Sequence, residues 1–352
     1  MTTTNTKDTK SDSARSLYTQ QRFLFMTLDP VHIGAGGYRL GRVDMTIARE
    51  PGTNLPKIPG TSLAGAARSY AAMRYGKPDV AGQHKNYTGS RITCPIIYTF
   101  GTATDTSPSG SVNQAGTVSI GDAHILFFPV HSMAGPVWVS TVDKVREAWG
   151  QDSVTLPQNA APTDDTVVTS MNWDKELNLG WLLFTATKGL TITPPKRIDE
   201  WSAIADRVVV VTPKLFSQIV NSNLEVRTSV SIDPKTGAAE SGALFTYEAI
   251  PRTTWLWSDA VEDDYRTNGN GTSAFPQTSQ QCKIEQNGKG EKIYHDNEGA
   301  ALGETWNRPL DVVKAGMKLI EYLGVGGMGT RGFGRMRLVG EWEASKGKGG
   351  TQ

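Results

Sequence analysis

Val31 to Arg68 reads VHIGAGGYRLGRVDMTIAREPGTNLPKIPGTSLAGAAR. The stretch sets a glycine turn (Gly34–Gly37), an alternating segment and a second turn (Pro59–Gly60) in succession, just ahead of a small-residue helix. From Val43 onward, Val43, Met45 and Ile47 share one side and Asp44, Thr46 and Ala48 the other, so an extended backbone turns Asp44 away from the apolar face. Thr61 is the expected helix N-cap, and Gly76 with Pro78 the stop. The run Ala64, Gly65, Ala66, Ala67 leaves that helix smooth enough for another backbone to come close.

Upstream, RFLFMTL (Arg22–Leu28) has the aromatic and apolar density of a buried strand closed by Pro30. Downstream, strands are expected over 118–130 and 136–142, a short helix in DKVREAW, strands near 179–187 and 207–211, and a helix at Leu215–Asn221. An alternating pair then flanks DPKTG, which predicts a protruding β-hairpin over about 223–251. Leu310 to Leu323 repeats apolar residues at helical spacing and feeds the glycine loop GVGGMGTRGFGRM before a last strand. Polar stretches at about 78–116, 151–178 and 258–305 read as insertions. With these removed, the order strand, helix, two strands, helix, strand is ferredoxin-like, an α+β fold. The reading is one domain over 21–342, between disordered tails at 1–20 and 343–352.

The chain has 352 residues and a net charge of +1, enough length for a full core and too little charge for a non-specific nucleic-acid coat. The charge is unevenly spread. Between Val31 and Lys77 seven Lys/Arg residues meet two acids, Asp44 and Glu50. Asp44 is therefore expected to stay ionised among cations. Two distant cysteines, Cys94 and Cys282, suggest neither a disulfide framework nor a zinc site. The polar N-terminus lacks a signal-peptide core and no run is long enough for a membrane span, so a cytoplasmic protein with no membrane partner is expected.

Gly324–Gly329 (GVGGMG) fits the dinucleotide fingerprint literally, but a helix precedes it and a strand follows, the reverse of what phosphate binding at a helix N-terminus needs. The loop can still cradle phosphate through backbone N–H groups, helped by Arg331, Arg335 and Arg337 with no acid between Gly324 and Gly340. For His32 and Asp44 an ordinary core histidine and a surface ion pair with Arg42 or Arg49 are the competing explanation. Asp122 and His124 in GDAHI read as a structural pair.

Four blocks carry a family resemblance: HIGAG with GRVDMTIARE, IPGTSLAGAAR, GDAHILFFPVHSMAG, and SIDPKTGAAESGALFTYEAIP with GVGGMGTRGFGRM. The chain resembles the RAMP superfamily, and within it the backbone subunits of type III-B (Cmr) CRISPR effectors. The resemblance implies a modified RRM-like palm with a hairpin thumb, stacked head to tail with further copies of itself along a CRISPR RNA and beside other type III subunits. Base pairing would select a complementary target RNA, which the subunit would cut at regular intervals. Asp44 matches the family's cleavage aspartate, acting as a base, as an orienting group for the 2′-hydroxyl, or as a ligand of a divalent cation, Mg2+ or Mn2+. His32 would support it, with Tyr247 and Glu248 as helpers. Guide contacts would come from Gly34, Gly36, Arg42, Arg49, Lys57, Ser62, Arg68, Gly326, Gly327, Gly329, Thr330 and Arg331. A non-cleaving guide scaffold is the alternative.

Overall fold

The strand Ser16–Thr27 is flanked on both sides by antiparallel neighbours, Trp255–Glu262 and Met336–Lys348. Phe23 and Phe25 enter one hydrophobic core and Leu24 the opposite one, so period-two alternation buries both faces. This computed structural model describes residues 16–36, 43–82, 94–102, 114–266, 273–276, 284–286, 292–294 and 305–348. Beyond Trp255–Glu262 the sheet continues through Ala123–Ser132, Gly135–Ser140, Val208–Val210, Thr166–Thr169, Leu182–Lys188 and Glu176–Leu179. The helices are α1 (Gly60–Arg74), α2 (Pro95–Phe100), α3 (Val142–Trp149), α4 (Pro213–Ser222) and α5 (Pro309–Leu323). No helix among the described residues is long and apolar enough to cross a membrane.

The expected order of strand, helix, two strands, helix, strand is present, but with a different third strand. Trp255–Glu262, and not the 136–142 segment, inserts between the first strand and Ala123–Ser132. Its acids suggested a loop because their partners lie far away in sequence. Asp259 takes a bidentate pair from Arg22 at 2.7 Å, Glu262 pairs with Arg308 at 3.0 Å, and the buried Ser258 hydroxyl donates to the Gly121 carbonyl at 2.8 Å. Similarly, the expected insertion at 151–178 contributes two strands to the sheet, where Val167, Val168, Leu177 and Leu179 are buried. The 78–116 stretch contains the buried helix α2. The first strand begins at Ser16 and the last ends at Lys348, past the tail boundaries expected at 20 and 343.

Helix α1 starts one residue ahead of the expected cap. Thr61 lies inside the first turn, and the Gly60 N–H is satisfied by the Asp122 carboxylate at 2.8 Å. Asp122 also holds Lys57, while His124 Nδ1 lies 2.7 Å from Glu50 Oε1; each residue of the GDAHI pair thus has its own structural partner. The smooth face of α1 is used at Ala67, against Gly316 of α5. A Cβ on Gly316 would lie 2.0 Å from the Ala67 carbonyl oxygen, whereas one on Gly65 would meet nothing within 4 Å. Gly316→Ala is therefore expected to destabilise the fold by about 1–3 kcal/mol through overpacking. Gly65→Ala should instead gain up to about 1 kcal/mol of helix propensity. Opposite shifts of the urea midpoint would check both; equal shifts would refute the close approach.

The hairpin forms as expected. Glu225–Ile232 and Ala239–Ala249 form a two-stranded sheet of their own, closed by a turn in which the Gly237 N–H reaches the Asp233 carbonyl at 2.8 Å. A lone two-stranded ribbon is marginal in water. Its foot is held by a small cluster of Tyr247, Ala249 and Phe333, and there the site lies.

Candidate functional site

Asp44 is exposed and is fixed by the foot of the hairpin. The Thr246 N–H donates to Asp44 Oδ2 at 2.7 Å, the Thr246 hydroxyl donates to the same oxygen at 3.0 Å, and the Asp44 N–H donates back to Thr246 Oγ1 at 3.1 Å. Around this clamp the Met45 N–H reaches the Thr246 carbonyl at 3.0 Å and the Glu248 N–H reaches the Met45 carbonyl at 3.2 Å. The two Thr246 donors hold the Asp44 carboxyl below its ordinary value of 3.8. Asp44 is thus kept ionised as expected, but by hydrogen bonds and not by the surrounding cations. The expected alternation breaks at Met45, which is 43% exposed because its neighbours form isolated bridges and not a continuous strand.

Asp44 lines a cavity of about 670 Å³ together with His32, Gly34, Gly36, Met45 and Phe245. His32 is buried, and its Nδ1 donates to the Glu248 carbonyl at 2.7 Å; since a carbonyl only accepts, that nitrogen carries the proton. Gly34 bridges to Ile47, and Gly36 has φ +70°, a left-handed turn suited to glycine. Tyr247 is buried in contact with His32 and Phe333, with its hydroxyl accepting from Ser229 at 3.2 Å. It supports the cavity from behind.

Several residues expected to grip RNA have other work inside the fold. Arg49 forms a bidentate pair with Glu248, both bonds 2.9 Å, and Glu248 Oε1 also accepts the Ile47 N–H at 3.0 Å. Arg49 further holds Asn221 of α4. Glu248, expected as a helper in cleavage, is 7% exposed and engaged by these groups, and Arg49, expected at the guide, bolts the Asp44 segment to the hairpin. Lys57 pairs with Asp122. The Arg68 Nε donates to the Val80 carbonyl at 3.0 Å, and burial lowers its basicity, so it serves the loop after α1. Arg42 lies outside the described residues.

The glycine loop is exposed, with part of its backbone already engaged inside the fold. Gly326, Gly327, Gly329, Thr330 and Arg331 are all exposed. However, the Gly327 N–H is spent on the His32 carbonyl at 3.0 Å and the Val325 N–H on the Gly334 carbonyl at 2.9 Å. Among the described residues no backbone carbonyl claims the N–H groups of Gly326, Met328, Gly329 or Thr330. Gly326 has φ +88°, and a Cβ there would lie 2.5 Å from the His32 carbonyl oxygen, so the loop backbone packs directly on that of the histidine. A cavity of about 380 Å³ opens between Ser62 and Gly65 of α1 and this loop. Two of the three loop arginines are taken by distant acids, Arg335 by Asp29 and Arg337 by Glu321. Arg331 instead stacks on Phe245, 5.4 Å from its ring centroid.

Sequence reasoning gave Thr246 and Phe245 no role of their own, although Phe245 lines the Asp44 cavity and Thr246 bonds the Asp44 carboxylate. The only available signal was their place immediately before the Tyr247–Glu248 pair on an alternating strand.

The family model described as the RAMP superfamily matches residues 24–337. The CRISPR system Cmr endoribonuclease Cmr4 of Pyrococcus furiosus is 31% identical over 248 residues, covering 66% of this chain and 78% of that protein. A chain in the apo-state structure of type III-B Cmr-beta matches with a TM-score of 0.56 at 13% identity, covering 93% of this chain and 98% of the other. Oligomeric Cmr4 from Pyrococcus furiosus matches with a TM-score of 0.50 at 18% identity, covering 93% and 99%. At these identities the two structural matches establish a shared α+β fold.

Proposed function

The chain belongs to the RAMP superfamily and is a homologue of Cmr4, and on that premise we propose that it is the RNA-holding backbone subunit of a type III-B CRISPR complex. Copies of it would stack head to tail on a CRISPR RNA, beside other Cmr subunits, and cut complementary target RNA at regular intervals. One observation supports the cutting role above the rest: an exposed, ionised Asp44, clamped at the foot of a protruding hairpin, on the wall of a cavity of nucleotide-accommodating size.

The lowered carboxyl of Asp44 bears on the three roles left open above. An efficient general base has a pKa near the working pH. A carboxylate held below 3.8 is weakly basic, so it acts better as a fixed anion that accepts a hydrogen bond from the target 2′-hydroxyl or neutralises a cation. Among the described residues no three His, Cys, Asp or Glu side chains gather to form a resident metal site. Mg2+ and Mn2+ suit a different arrangement, one or two carboxylates completed by substrate phosphates. Asp44 fits as the protein's share of such a site, where the ion would supply charge neutralisation at the reacting phosphate. His32, with Nδ1 committed to Glu248, has its Nε2 left to meet an RNA oxygen.

Guide binding would fall to the glycine loop. Its N–H groups that no backbone carbonyl claims among the described residues, the Ser62 turn of α1 and Arg331 would make a backbone-reading surface with no base selectivity, as base pairing requires. The test is a reconstituted complex loaded with one guide and given labelled RNAs. Evenly spaced cuts in the complementary RNA alone are expected. Tight binding without cuts would leave a guide scaffold, and loss of guide binding to the complex would refute the whole reading.

A further inference from the structure

We infer that Thr246 is a positioning residue for Asp44, so that the hairpin strand, and not the Asp44 segment itself, sets the aim of the carboxylate. This rests on the reading of Asp44 as the cleavage residue and adds a second residue to it.

Three hydrogen bonds join the two residues, and both Thr246 donors converge on a single oxygen, Oδ2. Two donors on one carboxylate oxygen fix the plane of the group as well as its place, and leave Oδ1 without a hydrogen bond from another residue among those described. The hydroxyl has a double duty. It accepts from the Asp44 backbone and donates to the Asp44 side chain, so it locks the rotamer to the backbone that carries it.

The rest of the segment's attachment runs to the same strand. Met45 bridges in parallel to Tyr247, the Met45 N–H uses the Thr246 carbonyl, and the Ile47 N–H uses the Glu248 carboxylate. On the hairpin side, Phe245 lines the Asp44 cavity and lies under Arg331 of the glycine loop, while Tyr247 packs on Phe333 of the same loop. Thr246 thus sits between two aromatic residues that the glycine loop holds. A displacement of the hairpin foot carries Thr246 with it, and the carboxylate follows. Catalytic groups lose about 10²-fold for an ångström of misplacement, which makes such a clamp consequential for rate while leaving binding untouched.

The experiment uses the reconstituted ribonucleoprotein complex carrying Thr246→Val, Thr246→Ser or Asp44→Ala, with single-turnover cleavage and target affinity measured on the same complementary RNA. Valine keeps the shape and the backbone donor but removes the hydroxyl. It should slow the cleavage step by about 10- to 100-fold while target affinity stays within about twofold. Serine, which restores the hydroxyl, should recover most of the rate. Wild-type cleavage by the valine variant would overturn the inference, as would a serine variant as slow as valine, since restoring the hydroxyl would then restore nothing. An equal loss of binding and rate would also overturn it, because it would place Thr246 in RNA docking. If Asp44→Ala itself cuts normally, the reading of Asp44 has failed, an outcome separate from a silent Asp44→Ala beside an unaffected Thr246→Val.

Discussion

Asp44→Ala in the assembled complex should abolish the regular cuts in target RNA, on the order of 10²–10³-fold or more, while guide loading and target binding remain. The separation follows from the position of the side chain. Asp44 is exposed, and among the described residues its side-chain hydrogen bonds from other residues come from Thr246, so truncation removes a charge and two accepted hydrogen bonds without opening the core. Asp44→Asn is the sharper variant, since its carbonyl oxygen can still accept from Thr246 and only the charge is lost. Equal failure of both would show that the negative charge is what counts. The pH dependence has a definite sign. A carboxyl lowered below 3.8 is fully ionised through the neutral range, and its contribution to rate is lost only as pH falls through that lowered value. Between about pH 5 and 8 the rate should therefore be flat with respect to Asp44. A rate that climbs tenfold per pH unit there would assign the general-base role to another group. Cleavage by Asp44→Ala at the wild-type rate would remove Asp44 from the chemistry.

What could be read from the residues alone was mostly what local pattern controls. Phe23, Leu24 and Phe25 announce a strand buried on both faces, DPKTG announces a hairpin, and the 3.6-residue spacing from Leu310 announces α5. Asp44 could be picked out because four separated blocks resemble one family. The failures share a cause as well. Trp255–Glu262 was hidden by acids whose partners, Arg22 and Arg308, lie far off in the chain. Arg49, Lys57 and Arg68 were counted as free cations for RNA, yet the fold brings Glu248, Asp122 and the Val80 carbonyl to them. Local charge counts presume that nearby residues in sequence are the relevant neighbours. Where the topology supplies an acid from a distant strand, the count overstates the surface charge, and where it supplies a threonine, as at Asp44, it misses the group that sets the ionisation.

The bolt between Arg49 and Glu248 should make Arg49 one of the more sensitive positions for stability. The Arg49 and Glu248 side chains are 14% and 9% exposed, so the pair is largely withdrawn from water. Breaking one partner of such a pair typically costs about 3–5 kcal/mol, because the other is left charged and buried. Glu248→Ala carries a further penalty, since the Ile47 N–H loses its acceptor. Its melting temperature should fall on the order of 5–10 °C, seen by calorimetry. Glu248→Gln keeps an acceptor for Ile47 and should lose less. Arg49→Met removes the other charge, and combining it with Glu248→Leu should recover part of the loss, because two matched apolar groups no longer strand a charge. A double variant that merely adds the two single penalties would show no coupling and would undo the bolt. Guide affinity separates this role from the one the resemblance implied. If Arg49 gripped the guide, Arg49→Met would weaken guide binding while Glu248→Ala would not; as a bolt between segments, the two should lower stability together and affect the guide only through the folded fraction. Because Ile47 and Glu248 lie next along the backbone from the Met45–Thr246 bonds, loosening the pair should also slow target cleavage in whatever protein stays folded.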